Sequence, residues 1–177
     1  MVIVRPTSSL GKRMRVKLDA TQERSSTLLG DWHALDLVLD HQQYILCVSE
    51  NGRLPVILKA APYVSFPNRL AVGLSEVLLK IGVPLEKVQD EVSKMDKVIV
   101  AKTNNRSILG SMNEFRFQLQ ASDLMGHYGH DTTRLSVVLS DTISLVLPDY
   151  TPLDTVLKLF GQPKAKRPRR PYLSIVS

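Results

Sequence analysis

The stretch from residue 34 to residue 60 constrains this chain more than any other. Leu35, Leu37 and Leu39 alternate with Asp36, Val38 and Asp40, the period-2 pattern that turns one side of a strand toward a core and the other toward water. His41-Gln42-Gln43 can turn the chain, and residues 44–50 supply a second strand rich in side chains that suit a pleated surface. Asn51-Gly52 is a strong hairpin signal, because a two-residue type I′ turn needs positive φ at both central positions. Residues 53–60 then read as a third strand. Pro55 within it has no N–H for a ladder, which places it at a sheet edge or at the strand's start. Three strands in succession make a meander.

The rest of the chain is arranged around it. Val2-Ile3-Val4-Arg5 reads as a first strand stopped by Pro6, after which Thr7, Ser8 and Ser9 can cap a short helix with Leu10 and Met14 on one side. Residues 19–30 are polar and end in Gly30, a loop. Leu70, Leu74, Val77, Leu78 and Ile81 recur at helical spacing, between a Ser65 N-cap and a Gly82 stop. Pro84 opens a second helix, with Leu85, Val88 and Val92 inward and Glu86, Lys87, Asp90 and Glu91 outward. Residues 97–102 form a further strand whose apolar interior predicts burial on both faces. A helix follows Asn104-Asn105, with Ile108, Met112, Phe115 and Leu119 on one face. Residues 126–130 read as a loop, Asp131 as the cap of a helix bearing Leu135, Val138, Leu139, Leu145 and Val146, and Thr151-Pro152 as the start of a last helix ending at Gly161. Strands and helices are segregated along the chain, which predicts an α+β fold with an antiparallel-rich mixed sheet and helices packed on one side. We read residues 1–162 as a single domain and 163–177 as a basic, proline-rich tail with a strand-like end.

Charge placement is more informative than composition. The chain of 177 residues has a net charge of +6 and is 44% hydrophobic, ordinary for one folded domain. Residues 1–18 hold five cations (Arg5, Lys12, Arg13, Arg15, Lys17) and no acid, and residues 163–171 hold five more (Lys164, Lys166, Arg167, Arg169, Arg170), again with no acid. The body between them is mildly acidic. Cys47 is the sole cysteine, so one chain can form neither an internal disulfide nor a multi-thiolate metal site, a composition that suits a reducing compartment. No apolar run approaches the roughly 20 residues of a membrane span and the start lacks a signal-peptide core, so the expected location is the cytoplasm, away from a membrane.

Two segments carry a family resemblance. Leu29-Gly30-Asp31-Trp32 leads into the meander, and Lys102-Thr103-Asn104-Asn105-Arg106-Ser107-Ile108-Leu109-Gly110-Ser111-Met112-Asn113 follows the later strand. Together they resemble a bacterial family known only as a domain of unknown function, over roughly residues 2–120. A tyrosine is expected after Trp32 in that family, and His33 stands there in this chain. The resemblance implies a compact bacterial domain and no known reaction, and the basic tail lies outside it.

Several groups could carry chemistry. A strand end feeding a helix N-terminus exposes backbone N–H groups and the positive end of the helix dipole. Asn104, Asn105, Arg106, Ser107 and Asn113 add amide, guanidinium and hydroxyl donors there, a corner suited to a phosphate or carboxylate. Helix capping explains most of the same residue types without a ligand. His127 and His130 have an H-x-x-H spacing but no third ligand beside them except Asp131, better placed as a cap, so a solvated loop is expected rather than a metal site. Asp31, Trp32 and His33 could orient an acid–base pair, although Trp32 reads first as an anchor in the core, and Cys47 reads as an inert thiol. No Walker sequence, dinucleotide fingerprint or H-E-x-x-H is present, and no cofactor is expected.

The tail is the strongest functional cue. Its five cations over nine residues, punctuated by prolines, match the spacing of a polyanion and can bind phosphates without reading sequence. Tyr172, Leu173, Ser174, Ile175 and Val176 beyond it form an apolar end suited to docking as a strand, on this domain's sheet or a partner's. The sequence therefore points to a non-catalytic binding or regulatory module contacting DNA or RNA through its basic ends, Lys164, Lys166, Arg167, Arg169 and Arg170 joined by Lys12, Arg13, Arg15 and Arg5. The alternative is a protein-interaction subunit, antitoxin-like or an accessory of a defence system. A weaker one is a hydrolase or transferase using the corner from Asn104 to Ser107.

Overall fold

The computed structural model describes residues 1–121 and 124–167. Five strands, β1 (Val2–Pro6), β2 (Trp32–Leu39), β3 (Gln42–Ser49), β4 (Pro55–Lys59) and β5 (Val98–Val100), form one sheet in the order β4-β3-β2-β1-β5. Along the meander β2, β3 and β4 are antiparallel neighbours, whereas β1 runs parallel to both β2 and β5 over short ladders. The helices are α1 (Ser8–Met14), α2 (Phe66–Ile81), α3 (Leu85–Ser93), α4 (Arg106–Ala121), α5 (Leu124–Tyr128), α6 (Thr132–Ser140) and α7 (Pro152–Leu159). The fold is α+β with an antiparallel-rich mixed sheet.

Alternation along the strands builds two cores. Val2, Val4, Trp32, Ala34, Ile45, Cys47 and Val56 face one side, where α1, α2, α3 and α7 bring Leu10, Met14, Leu70, Leu74, Val88 and Val156. Leu35, Leu37, Tyr44, Leu46, Val48 and Ile57 face the other, under Ile108, Met112 and Phe115 of α4 and Leu135 and Leu139 of α6. The helices expected on one side therefore lie on both. β3 and β4 are buried at consecutive positions, and a strand apolar on both faces needs cover on both. Burying a Leu or Phe side chain is worth about 1.5–3 kcal/mol, so a bare second face would forfeit much of the core.

The hairpins differ from the expected ones in an instructive way. The two-residue turn with positive φ at both positions is Asp40-His41 (46° and 61°), one residue ahead of the expected turn. At Asn51-Gly52 the chain makes a longer loop, with positive φ at Gly52 and Arg53 instead. Ser49 closes it, its Oγ accepting from Leu54 N–H at 2.9 Å. Asn51 is engaged elsewhere, giving its N–H to Leu29 O and its Nδ2 to Leu28 O, both at 2.9 Å. Pro55 begins the edge strand β4, as its missing N–H demands. Ser136 of α6 guards that edge by accepting from Ile57 N–H at 2.8 Å.

Other expectations are corrected by burial. β5 is a half-buried edge strand rather than one covered on both faces. In α3, Leu85 is exposed while Glu91 turns inward, its carboxylate accepting from Leu28 N–H (2.8 Å) and Leu29 N–H (2.9 Å). α6 stops at Ser140, so Leu145 and Val146 lie beyond it and are exposed. Residues 126–128 belong to the short helix α5 rather than to a loop. No helix among the described residues is long and apolar enough to cross a membrane.

Candidate functional site

β5 ends opposite Val4 of β1, level with the start of β2, since Val4 registers with both Trp32 and Val100 and Arg5 with His33. Strand alternation sends Val4 into the core under α1 and α2, and Arg5 to the opposite face. The chain leaving α1 runs along the outer edge of β5, where Asp19 N–H donates to Val100 O and Lys102 N–H to Asp19 O, each at 3.0 Å. It then reaches the other side of β1, where Ser25 Oγ accepts from Ile3 N–H at 2.8 Å. Residues 20–24 link these two anchor points and line a polar cleft beside Arg5.

Arg5 is only 4% exposed. Its Nε donates to Asp31 Oδ2 and its Nη1 to the Lys102 carbonyl, both at 2.7 Å. Asp31 Oδ1 is held in turn by Ser25, accepting from its N–H at 2.9 Å and its Oγ at 2.8 Å. An unpaired guanidinium at this depth would cost several kcal/mol, and Asp31 is what permits it. Arg5 Nη2 makes no hydrogen bond among the described residues. Arg5 borders two cavities, one of about 260 Å³ shared with Asp19, Lys102 and Thr103, the other of about 140 Å³ shared with Arg24 and Glu50. Thr21, Gln22 and Asn104 line both.

His33 lies behind the cleft, in register with Arg5 and beside the cleft residue Thr103. It is fully buried, with Nδ1 3.2 Å from Thr103 Oγ1, and its Nε2 has no partner. Burial, reinforced by the neighbouring Arg5 charge, lowers its pKa from 6.5 to about 4, so the ring is neutral near pH 7. Asn105 lies just beyond, its Oδ1 accepting from Ser107 N–H (3.1 Å) and Ile108 N–H (3.3 Å) to cap α4, its Nδ2 3.4 Å from Glu50. Arg53 reaches Ser107 Oγ at 3.1 Å.

Of the five residues expected to form a ligand corner, Asn104 lines the cleft, Asn105 caps α4 and Ser107 receives Arg53. Arg106 and Asn113 are exposed along the outer side of α4, and their side chains make no hydrogen bond among the described residues. Thr21 and Gln22 carry no motif in the sequence, and Lys102 stands there only as the first residue of the family segment, with no site role expected of it. Arg5, expected among the cations of the basic surface, is instead buried. The available signal was a cation in an apolar strand immediately before proline.

The basic ends divide. Lys12, Arg13 and Arg15 are exposed on α1 and its C-terminal cap, and Arg13 pairs with Asp36 at 3.1 Å beneath the Tyr63 ring. Lys12 and Arg15 have no acidic partner among the described residues. Lys164 pairs with Asp149 at 3.1 Å, and Arg167 with Asp141 at 2.6 Å and Asp154 at 2.8 Å. Lys166 is exposed and unpaired there, while Arg169, Arg170 and residues 172–176 lie outside the described residues.

The remaining candidates resolve locally. His130 Nδ1 lies 2.7 Å from the Tyr44 hydroxyl, and no group of three or more His, Cys, Asp or Glu among the described residues could hold a metal. Trp32 is buried in the core, and burial pushes the Cys47 thiol pKa up. A wider groove of about 600 Å³ runs between α3 and α7. Apart from Glu86, its charged groups are matched, Lys94 to Asp90 (2.6 Å), Lys87 to the Phe160 carbonyl (2.6 Å) and Glu91 to two backbone N–H groups. The Arg5 cleft, bordered by a largely buried guanidinium whose Nη2 has no protein acceptor among the described residues, is the better candidate.

Fold and cleft together define an α+β domain with a charge-lined pocket at the ends of two parallel strands. The chain belongs to the family described as a domain of unknown function (DUF6933), whose model matches residues 3–150. That span contains every cleft residue named above and stops before α7 and the basic segment. No curated protein and no solved structure matches the chain.

Proposed function

We propose that this domain is a binding module for a small phosphate-bearing ligand held in the cleft beside Arg5. The observation that carries the reading is the buried guanidinium whose Nη2 has no protein acceptor while the side chain borders both cavities. Lys102 adds a second cation, and Thr21, Gln22, Thr103 and Asn104 supply neutral donors around the larger cavity. A phosphate offers several acceptor oxygens to such a set, and charge-assisted hydrogen bonds to it are the strong kind. Asp19, the one acid on that wall, would accept from a ligand hydroxyl rather than face the phosphate.

Thermal unfolding of the full chain with orthophosphate, a sugar phosphate and a nucleoside monophosphate tests this, with a matched dicarboxylate as control. A ligand at 100 times its Kd adds about 2.7 kcal/mol of stability, so the midpoint should rise with phosphate concentration. Lys102→Ala and Asn104→Ala should weaken that rise. Unchanged midpoints with all three phosphates would sink the proposal, and a response to the dicarboxylate alone would reassign the ligand.

Nucleic-acid contact is the second reading, and it is favoured by Lys12, Arg15 and Lys17, exposed around the end of α1 without acidic partners among the described residues. The tail contributes less than its charge suggests, because Lys164 and Arg167 would have to leave Asp149, Asp141 and Asp154. Anisotropy of labelled duplex and single-stranded oligonucleotides across a salt series distinguishes the two surfaces. Dependence on Lys12 and Arg15 with a steep salt slope supports the α1 surface. Equal binding by the Lys12→Ala/Arg15→Ala variant removes it.

A further inference from the structure

Small-molecule pockets are mostly apolar, with a few polar groups set among hydrophobic and aromatic walls. The Arg5 cleft is the reverse. Among the described residues, Ala20 is the one apolar side chain bordering either of its cavities, and no aromatic ring borders them. A flat heteroaromatic ring would find nothing there to stack on. Such walls suit a ligand that is polar over its whole length.

The two cavities differ in charge. Beside Arg5, the larger carries Lys102 against the single acid Asp19. The smaller carries Arg24 against Glu23 and Glu50, since its third acid, Asp31, is already held by Arg5 and Ser25. Glu50 keeps acceptor capacity, its carboxylate meeting only Asn105 Nδ2 at 3.4 Å among the described residues, and the Glu23 carboxylate accepts no hydrogen bond among them. Those two carboxylates repel a phosphate, which is favoured instead beside Lys102. An ammonium in the smaller cavity would in turn meet Arg5 and Arg24. A hydroxyl both donates and accepts, so neighbouring hydroxyls match carboxylates and cations standing together. Thr21, Gln22 and Asn104 border both cavities, and Thr21 Oγ1 accepts from Glu23 N–H at 3.0 Å, which leaves its O–H to donate.

We infer that the ligand is a phosphate ester of a polyhydroxy compound, a sugar phosphate without a nucleobase, and that Glu23 and Glu50 read its hydroxyls. The inference rests on the phosphate reading of the cleft. The phosphate lies in the larger cavity against Arg5 and Lys102, and the hydroxyls lie in the smaller one. At about 260 and 140 Å³, the adjoining cavities together reach the lower end of the roughly 300–1,000 Å³ of ligand pockets.

The test is isothermal titration of the full chain with orthophosphate, the primary-hydroxyl phosphates of ribose and glucose, adenosine monophosphate and phosphoethanolamine. At least one sugar phosphate should bind about tenfold or more tighter than orthophosphate, the scale of a hydrogen bond to a charged group. The nucleotide, whose base has no wall to stack on, should bind more weakly than that sugar phosphate. The paired Glu23→Gln/Glu50→Gln variant should lose most of the preference for the sugar phosphate over orthophosphate, whereas Lys102→Ala should weaken all the phosphates together. Three results would each overturn the inference while the phosphate reading survives: orthophosphate binding with no gain from the sugar, tightest binding by the nucleotide or by phosphoethanolamine, or a sugar preference intact in the paired variant. Binding of none of the five compounds would remove both.

Discussion

Arg5 holds one carboxylate and a backbone carbonyl and Arg167 two carboxylates and a hydroxyl, yet they sit in opposite surroundings. Arg5 and Asp31 are both 4% exposed at the side chain, and Asp31 is anchored again by Ser25. Arg167 is 42% exposed, joined to an equally open Asp141 and to a buried Asp154. Burial raises the Asp154 carboxyl, but the hydrogen bonds from Arg167 and the Ala165 N–H outweigh it and hold the group below the usual carboxylate range. Hydrogen bonds to Asp141 and Asp154 likewise raise the Arg167 pKa. In the interior, a missing partner leaves a charge that water cannot reach, and the pair becomes a structural requirement. At the surface, water and salt replace most of what a partner offers, and the pair steers the chain more than it stabilises it.

The largest effect should come from breaking the buried pair. Asp31→Ala leaves Arg5 uncompensated and should destabilise the domain by about 3–5 kcal/mol in urea unfolding. A loss below about 1 kcal/mol would place this pair with surface pairs and erase the contrast.

The second effect is on pH. The folded pKa of His33, about 4, lies below its ordinary 6.5, so the unfolded chain takes up the proton first as pH falls. Stability from this group is complete above about pH 6.5, declines toward pH 4 by a total of about 3 kcal/mol, and is flat below. His33→Gln should make the acid limb of a stability–pH curve shallower in that window. An unaltered limb would show that His33 is not the group being titrated.

Glu91 sharpens the comparison, since its buried carboxylate faces two backbone N–H groups in place of a cation. Glu91→Ala should cost about 1–3 kcal/mol, read from the unfolding midpoint, because it orphans both donors. The smallest change belongs to Arg167→Ala, within about 1 kcal/mol and shrinking with added salt. A salt-insensitive loss larger than that would mean that the pair with Asp154 behaves as a buried one.

Much of the sheet was legible because β2 and β3 announce themselves by alternation and composition, and α2 by its stripe of Leu70, Leu74, Val77 and Leu78. The cleft was legible in one residue, Asn104, because the feature visible in the sequence was a polar strand-to-helix corner. Its floor comes from Arg5, nearly a hundred residues earlier, and its far wall from Thr21 and Gln22 in a segment with no motif. Glu91 was misread for the same reason. Its helical position resembles that of Asp90, and only the loop at Leu28 and Leu29 distinguishes them.

What the sequence by itself determined is the chemistry that closes within three or four residues. Thr7, Asp131 and Thr151 each accept from a backbone N–H three positions on, and Gly82 and Gly161 stop their helices with positive φ. Those interactions need no distant partner, so local residue type decides them. The tertiary structure alone decided which hairpin took the tight turn, because Asn51 bonds to a loop more than twenty residues away. It also decided which cation lies in the interior and which faces water. The burial of a charge depends on what stands opposite it, and for Arg5 that is Asp31 and the carbonyl of Lys102.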